Sequence, residues 1–228
     1  PLWRGQAPWR ARLLPRRAGM ELFIEADLRD LELRLPAPLA KAQGEPLLFQ
    51  VRTSALGEDN QTLDLQAEDR VTGKLAFQRA ATGWRFNHGR IGIGEKVLQL
   101  PPQPGLQLSA RLPALNVDDW WPLLRENLNG SGGSGWLDAV SRVSADIESL
   151  EAFGGGFGRL SLDIGNNAGN WQGRVQGDAV SGQLIIARPL SAGLPLVVGN
   201  VAAPGRPVIH LTLEKLVLPP ARATGEAL

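Results

Sequence analysis

From Leu22 to Leu213 the chain repeats one pattern: short runs in which apolar and polar residues alternate, broken by glycine, asparagine, aspartate or proline. Leu31, Leu33 and Leu35 alternate with Glu32 and Arg34 until Pro36 and Pro38 end the run. Leu63 and Leu65 alternate with Asp64 and Gln66, and Leu75 and Phe77 with Lys74 and Gln78. The same holds for Leu106 and Leu108, for Leu160 and Leu162, and for Leu211 and Leu213, set against Gln107, Ser161 and Thr212. Strand side chains point to opposite faces in turn, so a period of two predicts strands with one apolar and one polar side. The breaks, such as Gly57 to Asn60 and Thr82-Gly83, carry residues that tolerate positive φ or bond their own backbone. The prediction is an all-β fold dominated by antiparallel meander. Trp84, Phe86 and the glycine-rich segment to Gly94 read as a strand pair, with His88 in a turn beside Gly89.

One stretch changes period. After Asn116, Trp120, Leu123, Leu124 and Leu128 follow a helical spacing, Asp118 or Asp119 is placed to cap the helix start, and Pro122 falls in its first turn. Gly130 to Gly135 then reads GSGGSG, a composition with no means of burying surface. The expected organisation is a first meander over 1–128 ending in the helix, a flexible linker over 129–135, and a second meander over 136–228 that continues the same sheet.

Composition narrows the function classes. The 228 residues carry a net charge of +1, which supplies no bulk field for nucleic acid. Cysteine is absent, so disulfides, thiolate metal sites and a cysteine nucleophile are excluded. His88 and His210 are the two histidines, and neither has a ligand or carboxylate at metal-site spacing. Asp118-Asp119 is explained by capping and the helix dipole better than by acid and base work. Gly89, Gly92 and Gly94 lack the dinucleotide order, and no serine sits in a G-x-S-x-G elbow. The expectation is a protein without catalytic residues, metal or cofactor. Arg4, Arg10, Arg12, Arg16 and Arg17 interleave with Trp3, Trp9, Leu13 and Leu14, a mixture suited to gripping phosphates or lipid headgroups; short strands with arginine on the wet face and tryptophan on the dry one give the same pattern and are the better reading. No apolar run approaches the ~18 residues a membrane helix needs, and the chain reads as an excised piece of a longer protein.

Several segments in order carry a family resemblance: GQAPWRARL, ADLRDLELRLPAPLAKAQGEPLLFQV, GWRFNHGRIGIGEKVLQLPPQPGLQLSARLPALNVDDWWPLL, IESLEAFGGGFGRLSLDI, WQGRVQGDAVSGQLIIARP and VIHLTLEKLVL. Together they resemble the YhdP family of AsmA-like envelope proteins of Gram-negative bacteria. The resemblance implies an extended, curled antiparallel β-sheet around an apolar groove, with one or two short helices. It implies a periplasmic protein anchored to the inner membrane through a part absent here, which shields phospholipid acyl chains on the way to the outer membrane. Its partners would be phospholipid and the remainder of the longer chain, and no nucleic acid. The residues expected to line the groove are Leu31, Leu33, Leu35, Leu63, Leu65, Leu75, Phe77, Leu106, Leu108, Leu160, Leu162, Leu211 and Leu213. The alternative is a structural or interaction β-module of the envelope with no lipid cargo, since one-sided alternation also builds a closed sandwich core.

Overall fold

A computed structural model of the chain describes residues 2–16, 19–54, 59–96, 98–129, 139–167, 169–187 and 208–218. The Gly130 to Gly135 run and the tail beyond Leu218 lie outside the described residues. The elements in chain order are β1 (Trp3–Gly5), β2 (Trp9–Arg16), β3 (Gly19–Asp27), β4 (Leu31–Leu33), β5 (Leu48–Thr53), β6 (Asn60–Ala67), β7 (Val71–Ala80), β8 (Gly83–Ile93), β9 (Gly105–Leu112) and β10 (Leu115–Asn116). They continue with α1 (Val117–Asn129), β11 (Val140–Ala152), β12 (Gly155–Asn167), β13 (Asn170–Gly177), β14 (Val180–Ala187) and β15 (Val208–Leu216).

One large sheet dominates, in the order β15-β14-β13-β12-β11-β9-β8-β7-β6-β5-β3-β2, with β10 added beside β11. It stays open, with β2 and β15 on its two edges, and is not closed into a barrel. Both flanks are antiparallel meanders, as the short turn-bounded runs dictate. The centre is not: β8–β9 and β9–β11 pair in parallel. Parallel neighbours need a crossover of about a dozen residues. Residues 94–104 supply the first, and Leu98 of that segment is buried at 7% exposure. It crosses the polar side of the sheet, where Thr72 Oγ1 donates to the Glu95 carbonyl at 2.7 Å and Arg90 pairs with Glu95 at 3.4 Å. The second crossover runs through α1, and β9–β11 pairing joins the strands before and after it into one sheet.

Three local expectations are corrected. Residues 83–93 form one strand, not a pair, and His88 stands inside it opposite Ala76 and Gly105. Glycine there serves packing rather than a turn: a Cβ on Gly89 would stand 2.6 Å from Leu75 Cδ2. The helix begins at Val117, and its cap is Asn116, whose Oδ1 accepts from the Asp118 amide at 3.0 Å. Pro122 consequently lies in the second turn rather than the first. Leu31 and Leu33 form β4, which pairs with β1 in a separate two-stranded sheet, and Leu35 follows it in a loop.

Residues 28–47 leave the large sheet between β3 and β5 and fold back on themselves. Lys41 holds this excursion together: at 2% exposure its Nζ donates to the carbonyls of Arg29 (3.1 Å), Leu31 (2.7 Å) and Ala42 (3.1 Å). All three ammonium protons are used, which is what makes burial of the charge tolerable.

Candidate functional site

Residues directly opposite one another in adjacent strands share a face of the sheet. Following register from strand to strand therefore shows which side chains stand together. Ile24 faces Val51, Val51 faces Leu65, and Leu63 faces Leu75. Ile91 faces Leu108, Leu108 faces Val143, and Ala145 faces Leu162. Leu162 faces Val175, Gly173 faces Leu184, and Leu184 faces Leu211. The apolar positions thus stay on one face across the twelve strands of the path. Of the residues expected to line a groove, Leu63, Leu65, Leu75, Phe77, Leu106, Leu108, Leu160, Leu162, Leu211 and Leu213 stand on it. Leu31 and Leu33 do not, because β4 pairs with β1 instead, and Leu35 lies in the loop that follows.

Most of these side chains are half-buried rather than sealed, and Leu211 and Leu213, near the β15 edge, are 50% and 36% exposed. Phe77 packs edge-on against Phe86, with ring centroids 5.8 Å apart. Toward one end of the strands the face closes. Leu112, Ile147 and Leu150 form a buried cluster there, and Leu115 and Val117 at the start of α1 pack onto it with Ile93, Ala110 and Leu160.

Helix α1 is fixed over this end by polar contacts. The two carboxylate oxygens of Asp118 accept the amides of Phe153 (2.9 Å) and Gly154 (3.0 Å) in the β11–β12 turn. Trp120 Nε1 donates to the Ala37 carbonyl at 2.8 Å, so α1 touches the 28–47 excursion. That excursion is tied in turn to the β6–β7 turn, through Arg70 to the Ala40 carbonyl (2.9 Å) and to Glu45. One end of the apolar face is thereby bordered by packed chain from β5 to β12. None of these contacts was legible in the residue pattern, because each joins segments far apart in sequence.

The opposite face carries exposed charge and amide groups. Arg142 Nε donates to Asp163 at 2.7 Å, and this hydrogen bond holds the Asp163 carboxyl below its ordinary range. Glu25 is lowered likewise, first by its hydrogen bond from Arg10 and then by that from Gln50. Clefts of about 700, 480 and 340 Å³ open on this polar face. His88 is half-buried and His210 exposed, both on the polar side, 88 opposite Ala76 and 210 opposite Ile185. Asp118 is engaged by the backbone amides of Phe153 and Gly154. Among the described residues no group of three or more histidine, cysteine, aspartate or glutamate side chains is placed to hold a metal ion, and no helix is long and apolar enough to cross a membrane.

No curated protein and no solved structure matches the chain. The sequence model of one family, described as YhdP protein, matches residues 1–207. A continuous match over that much of the 228 residues places the chain in the YhdP family.

Proposed function

We propose that this chain is a segment of a non-enzymatic bridge that shields phospholipid acyl chains on its apolar sheet face as they move between the inner and outer membranes. The observation that supports it is the register, which keeps most strand leucines, isoleucines and valines on one face through the eleven consecutive pairings of the twelve-strand path. The physical need is large. Withdrawing a two-chain lipid from a bilayer exposes some thirty methylenes, at ~0.8 kcal/mol each a cost on the order of 25 kcal/mol. A barrier of that size makes unassisted escape a matter of roughly days. Twelve strands at ~4.8 Å spacing give an apolar surface about 53 Å across, long enough to keep a lipid covered through successive positions. The envelope location, the inner-membrane anchor in another part of the longer protein, and phospholipid as cargo belong to this same reading.

The test is lipid extraction from purified protein. Phospholipid should accompany the wild type in stoichiometric amount and be lost in a Leu108→Asp, Leu162→Asp double variant that keeps its β circular dichroism. Wild-type protein that carries no lipid, and takes none from vesicles, would make the chain an interaction module of the envelope instead.

A further inference from the structure

On the polar face, a three-residue unit spans β2, β3 and β5 that lipid shielding does not use. Arg12 stands opposite Phe23, and Phe23 opposite Arg52. The guanidinium carbon of Arg12 lies 5.0 Å from the ring centroid, and that of Arg52 5.7 Å. Two cations share one aromatic ring, and among the described residues neither forms an ion pair. Glu21 and Glu25 flank Phe23 on this face, Glu25 within reach of the Arg12 charge, and Asp64 stands opposite Arg52. Glu25 accepts from Arg10 Nε at 2.8 Å and from Gln50 at 3.0 Å, and Asp64 pairs with Lys74 at 3.4 Å. Arg52, Asp64 and Lys74 line the 340 Å³ cleft beside Phe23 together with Lys96, which also pairs with Asp69 at 3.2 Å.

The ring attracts each guanidinium but carries no formal negative charge, so both cations keep N–H donors to spare. An anion bridging them across the ring supplies the counter-charge. Phosphate suits the geometry: the Cα positions of Arg12 and Arg52 are two strand spacings apart, ~9.6 Å, while their heads converge on the ring. A phosphate group held by two guanidiniums sets their centres roughly 8 Å apart, within reach of these exposed side chains. Contact with the ring restricts each guanidinium and leaves it N–H groups to donate to phosphate oxygens. We propose that Arg12, Phe23 and Arg52, with Lys74 and Lys96 at the adjoining cleft, form a binding site for a phosphate-ester group.

The site lies on the face opposite the proposed lipid path, so its failure and that of lipid shielding are separate outcomes. The test uses the whole chain, titrated with inorganic phosphate and with glycerol 3-phosphate by calorimetry, and floated with phosphatidylglycerol and with phosphatidylcholine vesicles. The Arg12→Gln, Arg52→Gln double variant is compared with Arg159→Gln, an exposed arginine remote from the site, and with Phe23→Leu. Saturable glycerol phosphate binding that weakens at least about tenfold in the double variant, and not in Arg159→Gln, supports the site for soluble phosphate esters. Flotation with phosphatidylglycerol alone, lost in the same double variant, supports it with a lipid headgroup as the source. Phe23→Leu should weaken whichever binding is seen. If the double variant does not fold, as judged by its melting curve, Arg12→Gln alone gives the comparison. No binding by the wild type, or equal binding by wild type and variant, overturns the proposal.

Discussion

Placing aspartate at two positions of the same strand separates an open apolar face from a sealed core. Leu112 is 6% exposed and packs in the cluster with Ile147 and Leu150, whereas Leu108, four residues earlier on the same face, is half-buried between Ile91 and Val143 and lies outside that cluster. Leu112→Asp loses the burial of a whole leucine, ~1.5–3 kcal/mol. It also introduces a carboxyl with no partner into an apolar site, which adds several kcal/mol. The total is on the order of 5 kcal/mol, comparable with the whole stability of a domain. Leu108→Asp loses roughly half of the burial, ~1 kcal/mol, and up to ~1 kcal/mol in strand preference, while its carboxylate reaches water. Urea unfolding followed by tryptophan fluorescence should find Leu108→Asp folded and about 2 kcal/mol less stable, and Leu112→Asp largely unfolded without denaturant. Equal and complete unfolding of both would show that the face is covered at Leu108, and the reasoning would fail.

Lys41→Met should cost about 2–4 kcal/mol, read as a fall in melting temperature, because the carbonyls of Arg29, Leu31 and Ala42 lose their shared donor. Asp118→Ala frees the amides of Phe153 and Gly154 and should cost about 1–3 kcal/mol, seen as faster hydrogen exchange in the β11–β12 turn. The Arg142–Asp163 pair gives a pH signature. Because Asp163 is depressed in the folded state, its contribution is present above the unfolded value of 3.8 and is lost as pH falls through the folded value. Both side chains are about half exposed, so screening keeps it under ~1 kcal/mol. Arg142→Gln should therefore be slightly less stable than wild type in urea at pH 7, and the difference should shrink as pH falls below the unfolded value of 3.8.

The strands were legible wherever one face was apolar and the other polar. Leu63 and Leu65 against Asp64 and Gln66, or Leu160 and Leu162 against Ser161 and Asp163, give the period and the face together, and the structure keeps both. What alternation does not carry is the partner. Leu31 and Leu33 alternate as cleanly as any, yet they pair with Trp3–Gly5 in a separate sheet, because a strand's period is the same whichever neighbour it takes. The parallel centre was hidden for the same reason, although the eleven residues between β8 and β9 were a usable signal of a crossover. His88 was misplaced because glycine reads as turn, and at Gly89 it answers instead to the Leu75 side chain. The buried ammonium of Lys41 and the Trp120 to Ala37 bond have no local signature at all, since a lysine in a loop and a tryptophan on a helix are each explained without them.

The most direct measurement of the central claim is site-specific photo-crosslinking in cells, with the full-length protein functional. A photoreactive residue at Leu65, Leu108 or Leu162 stands on the apolar face, and one at Gln66, Arg111 or Asp163 on the polar face of the same strands. Phospholipid adducts at the first three positions and not at the second three are the predicted result. Adducts formed equally on both faces, or on neither, would contradict the account.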